Sequence, residues 1–380
     1  LSESNGLATI ESIDDLINVG DAAVLEDAPP QKRTRGKNQK RVKVSRLKID
    51  AGNGRIKFLA NDYFDAIRSV ISQVSSPQSM LGAFDWDGKS WLVGADAEII
   101  NNSKQRIEVG TTPGAKVKYF PHMVLGAIAS HPTFLDEATR VNGDRTRKHL
   151  SIDIDCLALA RGEELFNNLQ KVKEFSKDGI TYQTQWRYFI AHPEGYGGAI
   201  AAHKLIKEKD PKARLFYILD IGNGTITLTP YNCFGSKPLA GIPRSGSGGG
   251  VIAIVDKFSE TANTGDHETI YLDQLRKALE RSKVVGDKYQ AIVAGSRNDL
   301  GVNLATALQD WKDKHPATRK VLREVDDVLL DGDYVFCCGG GFEIPPIEDF
   351  VKSQFPNSDR LIVLPNPGTI SLLGLKEENQ

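Results

Sequence analysis

"IDAGNGRIKF" occupies Ile49–Phe58. An apolar flank and an Asp lead into Gly-Asn-Gly, after which alternation resumes. Asn-Gly suits the positive-φ positions of a tight turn, so the stretch reads as a β-hairpin. A hairpin does not require Asp50 at its lip. "LDIGNGTITL", Leu219–Leu228, repeats the pattern with the same Asp offset, 170 positions from Asp50 to Asp220. A single Asn-Gly hairpin is commonplace. Two with one offset, each after a strand, read as an internal duplication and predict two related α/β halves rather than one large sheet.

The pair also suggests chemistry. A glycine-rich turn exposes backbone N–H groups that form a nest for phosphate oxygens. An Asp ending the preceding strand suits Mg²⁺ held through water. Three further stretches join the candidates. In "GSGGGVIAI", Gly246, Gly248, Gly249 and Gly250 precede an apolar run; if that run is helical, its N-terminus is an anion site, and the alternative is a surface loop. In "VFCCGGG", Gly339, Gly340 and Gly341 end an apolar strand, where a flat ligand can lie on bare backbone; the alternative is a tight strand-to-helix turn. In "AHPEGYG", Glu194 follows Pro193 at a strand end, where a carboxylate can orient an attacking water; the alternative is a surface turn residue. His192 receives no role.

Residues 1–41 are expected to be a disordered extension: residues 1–30 hold seven acids and no Lys or Arg, and residues 31–48 hold nine bases and no acid. Within it Ile10, Ile13, Leu16 and Ile17 fall at helical spacing. Order is expected from about Val42. "VKVSRLKIDAGN" and "RIKFLAN" form a hairpin, and "SMLGAFDWDGKSWLVGADA" gives two strands around Asp87-Gly88. "HMVLGAIASH" reads as a buried helix, "HLSIDIDCLALARGEE" begins as a strand, and "QTQWRYFIAHPEGYGGAIAAHKLIKEKD" gives strand, turn and helix. The second half repeats strand–turn–strand, then adds a charged helix over Leu272–Val284, a strand, glycine turn and helix from Tyr334, and a closing strand and helix.

Composition narrows the classes. With 26% charged and 40% hydrophobic residues and a formal net charge of -1, the chain is an ordinary globular protein and not, as a whole, a polyanion binder. Its four cysteines contain no Cys-x-x-Cys pair, which argues against a zinc site or a disulfide framework. No apolar run reaches the roughly 18 residues of a membrane span. A cytoplasmic protein is expected. Gly-x-x-x-x-Gly-Lys-Ser/Thr, His-Glu-x-x-His and Gly-x-Ser-x-Gly are all missing.

Taken in order, these motifs resemble the actin, sugar kinase and DnaK-type chaperone superfamily over about residues 44–375, and most of all the bacterial plasmid-segregation actins of the ParM type. The "HPEG" turn between the two hairpins, "GIPRSGSGGG" after the second and the "NPGTISLLGL" ending carry the closer likeness. The resemblance implies an actin-like two-domain α/β fold, with duplicated ribonuclease H-like cores around a nucleotide cleft. Residues 42–210 and 361–380 would form the first domain and 211–360 the second. It implies ATP or ADP and Mg²⁺ as cofactors, with Asp50 and Asp220 holding the metal through water. Gly52, Asn53, Gly54, Lys57 and Gly222, Asn223, Gly224, Thr225 would wrap the phosphates. Arg55 would either add a phosphate contact or face a neighbouring subunit. Glu194 would position the hydrolytic water. Gly339, Gly340 and Gly341 would back the adenosine, and Gly248 and Gly249 would close the site near ribose and phosphates. The activity implied is an ATPase that polymerises into nucleotide-dependent filaments, in plasmid segregation or a derived bacterial cytoskeleton. Its partners would be further copies of itself and an adaptor protein, DNA-bound or membrane-associated, with no direct sequence-specific nucleic-acid binding. The alternatives are a small-molecule kinase of the same superfamily and a non-polymerising nucleotide-binding scaffold.

Overall fold

The computed structural model describes residues 43–377, apart from 62, 76–78, 101–104, 111, 113, 132, 159–160, 243, 264–268 and 296–297. The expected N-terminal extension and its short helix lie outside the described residues.

The opening hairpin forms as its sequence predicts. β1 (Val44–Ala51) pairs antiparallel with β2 (Arg55–Ala60), and β3 (Tyr63–Arg68) continues outward. β4 (Val70–Val74), β5 (Ala83–Trp86), β6 (Lys89–Val93) and β7 (Gln105–Glu108) follow, then β8 (Thr139–Arg140), β9 (Arg147–Leu157), β10 (Glu174–Lys177) and β11 (Ile180–His192). They make one eleven-stranded sheet ordered β3-β2-β1-β9-β11-β10-β5-β6-β4-β7, with β8 on β9. Asp87 and Gly88 both take positive φ (52° and 67°), the type I′ geometry that an Asp-Gly two-residue loop favours. β3, β4 and β7 were not expected from the sequence.

The second sheet has six strands: β12 (Leu215–Ile221), β13 (Thr225–Asn232), β14 (Leu239–Ala240), β15 (Arg244–Gly249), then, far along the chain, β18 (Tyr334–Cys338) and β19 (Leu361–Val363). A separate two-stranded ribbon, β16 (Lys283–Val285) with β17 (Lys288–Gln290), lies between. The duplication is topological. In the first sheet an antiparallel hairpin is followed by the parallel pairs β1–β9 and β9–β11; in the second, by β12–β18 and β18–β19. In each half the Asp-bearing strand is therefore central, paired on both sides.

Short helices α1 (Asp96–Ile99) and α2 (Ala115–Lys118) lead to α3 (Phe120–Ser130), every residue of which is buried, as its continuous apolar sequence requires. α3 packs in one core with Leu47, Ile49, Phe58 and Ile152 of the first sheet, together with α4 (Gly162–Leu169). α6 (Val251–Ala262), α7 (Leu272–Glu280), α8 (Gly301–Lys314), α9 (Pro316–Leu330) and α10 (Pro345–Gln354) build a second core on Leu219, Ile226 and Val335. A third core joins α5 (Tyr196–Lys209) and α11 (Ile370–Glu377) to Phe216, Ile218 and Phe336.

Two expectations are corrected. The helix expected over Leu272–Val284 stops at Glu280: Ser282 Oγ donates to Leu279 O at 2.5 Å, and the following Lys-Val-Val enters the β16–β17 hairpin, turned at Gly286 (φ +62°). Leu361–Val363, expected with the first domain, pairs instead with β18 in the second sheet, and Leu364 N donates to Cys337 O at 3.0 Å.

Candidate nucleotide cleft

Both hairpins place their Asp two positions before the glycine turn, on the central strand. In the first, Asp50 stands opposite Lys57, whose Nζ lies 3.5 Å from Asp50 Oδ2. In the second, Asp220 stands opposite Thr227. The two tips face each other: a Cβ added at Gly54 would lie 3.0 Å from Asn223 Cγ, and one added at Gly224 would lie 2.7 Å from Asn53 Nδ2. The sequence repeat thus converges in space.

Between the hairpins is a cleft of about 270 Å³. Of the residues singled out from sequence, Asp50, Gly52, Asn53, Gly54, Arg55, Lys57, Glu194, Asp220, Gly222, Asn223, Gly224, Thr225, Gly339 and Gly340 line it. Glu194 arrives by the Pro193–Gly195 turn. Gly195 has φ +79°, and an added Cβ there would meet Ile218 Cγ2 at 3.0 Å, so glycine both permits the turn and lets the chain pass beside the second hairpin's strand. Gly339 (φ +97°) ends β18, where a Cβ would meet Ile221 O at 2.5 Å; Gly340 next to it faces open space. Bare backbone therefore forms that wall.

Gly248, Gly249 and Gly341 are not among the lining residues. Gly249 is held from behind: Trp311 Nε1 donates to its carbonyl at 2.9 Å, and a Cβ there would meet Ile226 Cγ2 at 2.9 Å and Thr318 Oγ1 at 3.0 Å. Gly248 lies against the His315 ring, and Gly341 packs on Ile221. Gly248 and Gly249 of β15 serve close packing on α8 and α9. The expected anion site at the start of α6 is also corrected. Val251 N donates to Gly222 O at 3.1 Å and Ile252 N to Asn223 O at 2.9 Å, so these first-turn N–H groups support the second hairpin instead of facing a ligand.

Several lining residues lie outside the motifs quoted above: Lys116, Arg276, Glu280 and Glu343. Lys116 Nζ donates to Glu194 Oε1 at 3.0 Å. Arg276 Nη2 donates to Asn223 Oδ1 at 2.8 Å, and its Nε to Glu280 Oε1 at 3.2 Å. Glu280 also lies 3.8 Å from Arg68 of β3. These side chains meet only through tertiary structure, 53 and 78 positions apart for Arg276–Asn223 and Lys116–Glu194. His192, given no role from sequence, stacks on Tyr196 at 4.8 Å and lies 3.8 Å from Asp155, outside the cleft lining.

Five carboxylates, Asp50, Glu194, Asp220, Glu280 and Glu343, line the cleft beside four cations, Arg55, Lys57, Lys116 and Arg276. Burial, then Glu194, and further Asp50 push the Asp220 carboxyl up to about 7 against the opposing effect of Lys57. Burial opposes the charge on Lys116, but Glu194 and Asp50 outweigh it and raise its pKa. Such a set of carboxylates fits a hard cation with oxygen ligands. No group of three or more His, Cys, Asp and Glu side chains among the described residues could hold a metal ion by itself. The donors fit Mg²⁺ carried in with phosphate oxygens and waters, the usual mode for that ion, and not an all-protein cage.

No family model matches the sequence, and no curated protein matches it. Solved structures do. A 15-stranded ParM filament from Clostridium botulinum superposes with a TM-score of 0.62 at 17% identity, covering 88% of this chain and 98% of that one. An archaeal actin homolog in complex with ADP gives 0.58 at 16% identity, covering 88% and 99%. The MamK double helical filament gives 0.58 at 13% identity, covering 89% and 99%. With the duplicated sheets and the paired hairpins, these likenesses establish that the chain has the actin-like fold.

Proposed function

We propose that this chain is an actin-like ATPase that binds ATP with Mg²⁺ and assembles with copies of itself into filaments, serving plasmid segregation or a derived bacterial cytoskeleton. The observation that carries the reading is the convergence of the two Asp-x-Gly-Asn-Gly hairpins, tip to tip, with Glu194 lining the same cleft as their Asp residues. The ParM and MamK filaments and the ADP-bound actin homolog sharing its fold support it.

In this reading Gly52–Gly54 and Gly222–Thr225 cradle the phosphates with backbone N–H groups, and Lys57 adds a cation. Asp50 and Asp220 would hold Mg²⁺ through water; the ion supplies charge neutralisation to the phosphates. Gly339 and Gly340 give the adenosine a wall without side chains. Glu194 hydrogen-bonds a water, whose oxygen bonds to the γ-phosphorus as the bond to the bridging oxygen breaks. ADP leaves with that electron pair, and both water protons stay on the transferred phosphate, which is released as H₂PO₄⁻. Copies stacking head to tail make a heterologous contact, which does not close and so grows a filament.

Sedimentation and light scattering with ATP·Mg²⁺, with ADP and without nucleotide test the reading. Polymer is expected with ATP, and Glu194→Ala is expected to polymerise while releasing phosphate about a hundredfold more slowly or less. Absence of sedimenting polymer with ATP, both for the full chain and after removal of residues 1–41, would refute the filament. Unchanged phosphate release in Glu194→Ala would remove Glu194 from its role.

A further inference from the structure

Glu194 sits on a turn, not in a helix or strand, and its side chain is 44% exposed. A carboxylate on a glutamate's rotatable stem has many orientations available. It shares the cleft lining with two further carboxylates, Asp50 and Asp220, and its charge acts on Asp220. Both effects work against the fixed geometry needed to orient a water. Something must hold it.

Among the described residues, the hydrogen-bond partner of that carboxylate is Lys116, at 3.0 Å. The lysine's backbone is restrained on both sides. Gly114 starts α2 in the left-handed region (φ +70°), Ala115 is buried, and Tyr119 N donates to Ala115 O at 2.8 Å. From the other flank Asn168 Nδ2, on α4, donates to Val117 O at 3.1 Å. α2 runs directly into the fully buried α3. The side chain therefore extends from a fixed base into the cleft with only 24% of its surface exposed. Lys57 is the counterpart at the hairpin, 3.5 Å from Asp50. The hydrogen bond of Lys57 goes to Asp50 and that of Lys116 to Glu194, while the charge of Asp50 also acts on Lys116.

We propose that Lys116 is a positioning residue for Glu194: it holds that carboxylate facing the space between the hairpins, in the orientation that aligns the attacking water. The inference rests on the ATPase reading above. Lys116 acts through Glu194, so its contribution exists only while Glu194 is present.

The test is a double-mutant cycle on the full chain: wild type, Lys116→Met, Glu194→Ala and the double variant. Phosphate release from ATP·Mg²⁺ and the affinity for a fluorescent ATP analogue are measured for each. Lys116→Met is expected to slow phosphate release about tenfold or more while affinity stays within about twofold. In the Glu194→Ala background the same substitution is expected to change the rate by less than about twofold. Lys116→Arg, which keeps the charge and the donors, is expected to recover most of the rate. An equal loss in both backgrounds, or a parallel loss of affinity, would overturn the proposal, because Lys116 would then act on the phosphates or on the fold. A wild type that binds the analogue without releasing phosphate would overturn the ATPase reading, and this proposal with it; a wild type that hydrolyses ATP with Lys116→Met at the same rate would overturn this proposal alone.

Discussion

The two hairpins share Asp-x-Gly-Asn-Gly, yet they are braced in different ways. The first is held from its own sheet: Ser69, at the junction of β3 and β4, donates Oγ to Gly52 O at 2.5 Å and N to Gly54 O at 3.2 Å, while its carbonyl accepts from Val109 N at 3.1 Å. The second is held by a helix. The first two N–H groups of α6 donate to Gly222 O and Asn223 O, and Arg276 holds the Asn223 side chain. The cross-strand neighbour of the Asp differs too, Lys57 in one half and Thr227 in the other. A repeated motif fixes the turn; what surrounds it fixes the stiffness and the charge of each copy.

The largest expected effect breaks the helical brace. Gly250 precedes α6 with φ −78°, so alanine is conformationally acceptable there. Its Cβ, however, would lie 2.5 Å from Thr225 N and 2.6 Å from Gly222 O. Both are backbone atoms of the second hairpin and cannot rotate away. Gly250→Ala is expected to destabilise the protein by about 3 kcal/mol, read as a lower denaturation midpoint in urea. A loss under about 1 kcal/mol would mean the helix does not fix this hairpin.

Ser69→Ala is the matching test on the first hairpin. Ser69 is only 2% exposed, and the smaller side chain introduces no clash. The cost comes from Gly52 O losing its hydroxyl donor, while the Ser69 N–H bond to Gly54 O remains. A loss of about 1–2 kcal/mol is expected. If it matched or exceeded the effect of Gly250→Ala, the first hairpin would be the more tightly held and the comparison would reverse.

How much of this was legible in sequence follows from how local each signal is. The hairpins, the Asp87-Gly88 turn and the all-apolar α3 depend on residues within about one element, so periodicity and turn chemistry read them directly. The duplication was legible because the Asp offset is kept. Lys116 and Arg276 were not, because nothing in "GTTPGAKVKYF" or in a charged helix distinguishes a cleft cation from a solvated one until α2 and α7 are placed. The β15 glycines mislead for a related reason: a glycine run opening a helix reads the same whether a ligand or the protein's own backbone approaches it. Here Gly222 and Asn223 occupy that approach. The half to which β19 belongs is not legible in sequence, because parallel pairing with β18 leaves no local mark in "LIV".

The smallest predicted effect isolates the difference in charge between the two hairpins. Asp220 titrates near 7, raised by burial, then by Glu194 and Asp50, with Lys57 only partly offsetting them. An ordinary unfolded aspartate titrates near 4. Between about pH 4 and about pH 7 the folded protein therefore holds a proton at Asp220 that the unfolded chain has released. Stability from this group falls as pH rises through that window and levels off above it. From about pH 6 to about pH 8 the wild type should lose about 1 kcal/mol more stability than Asp220→Asn, a difference in which the other titrating groups cancel. Asp50→Asn removes only one of the neighbouring charges acting on Asp220, so most of the step should persist in that variant. In the proposed complex Mg²⁺ would supply positive charge beside Asp220, and the stabilising effect of ATP·Mg²⁺ on melting is then expected to be larger at the higher pH, where no proton has to be displaced. Equal pH slopes for the wild type and Asp220→Asn would show that Asp220 holds no extra proton in the folded state, and the contrast between the two hairpins would then be one of bracing alone.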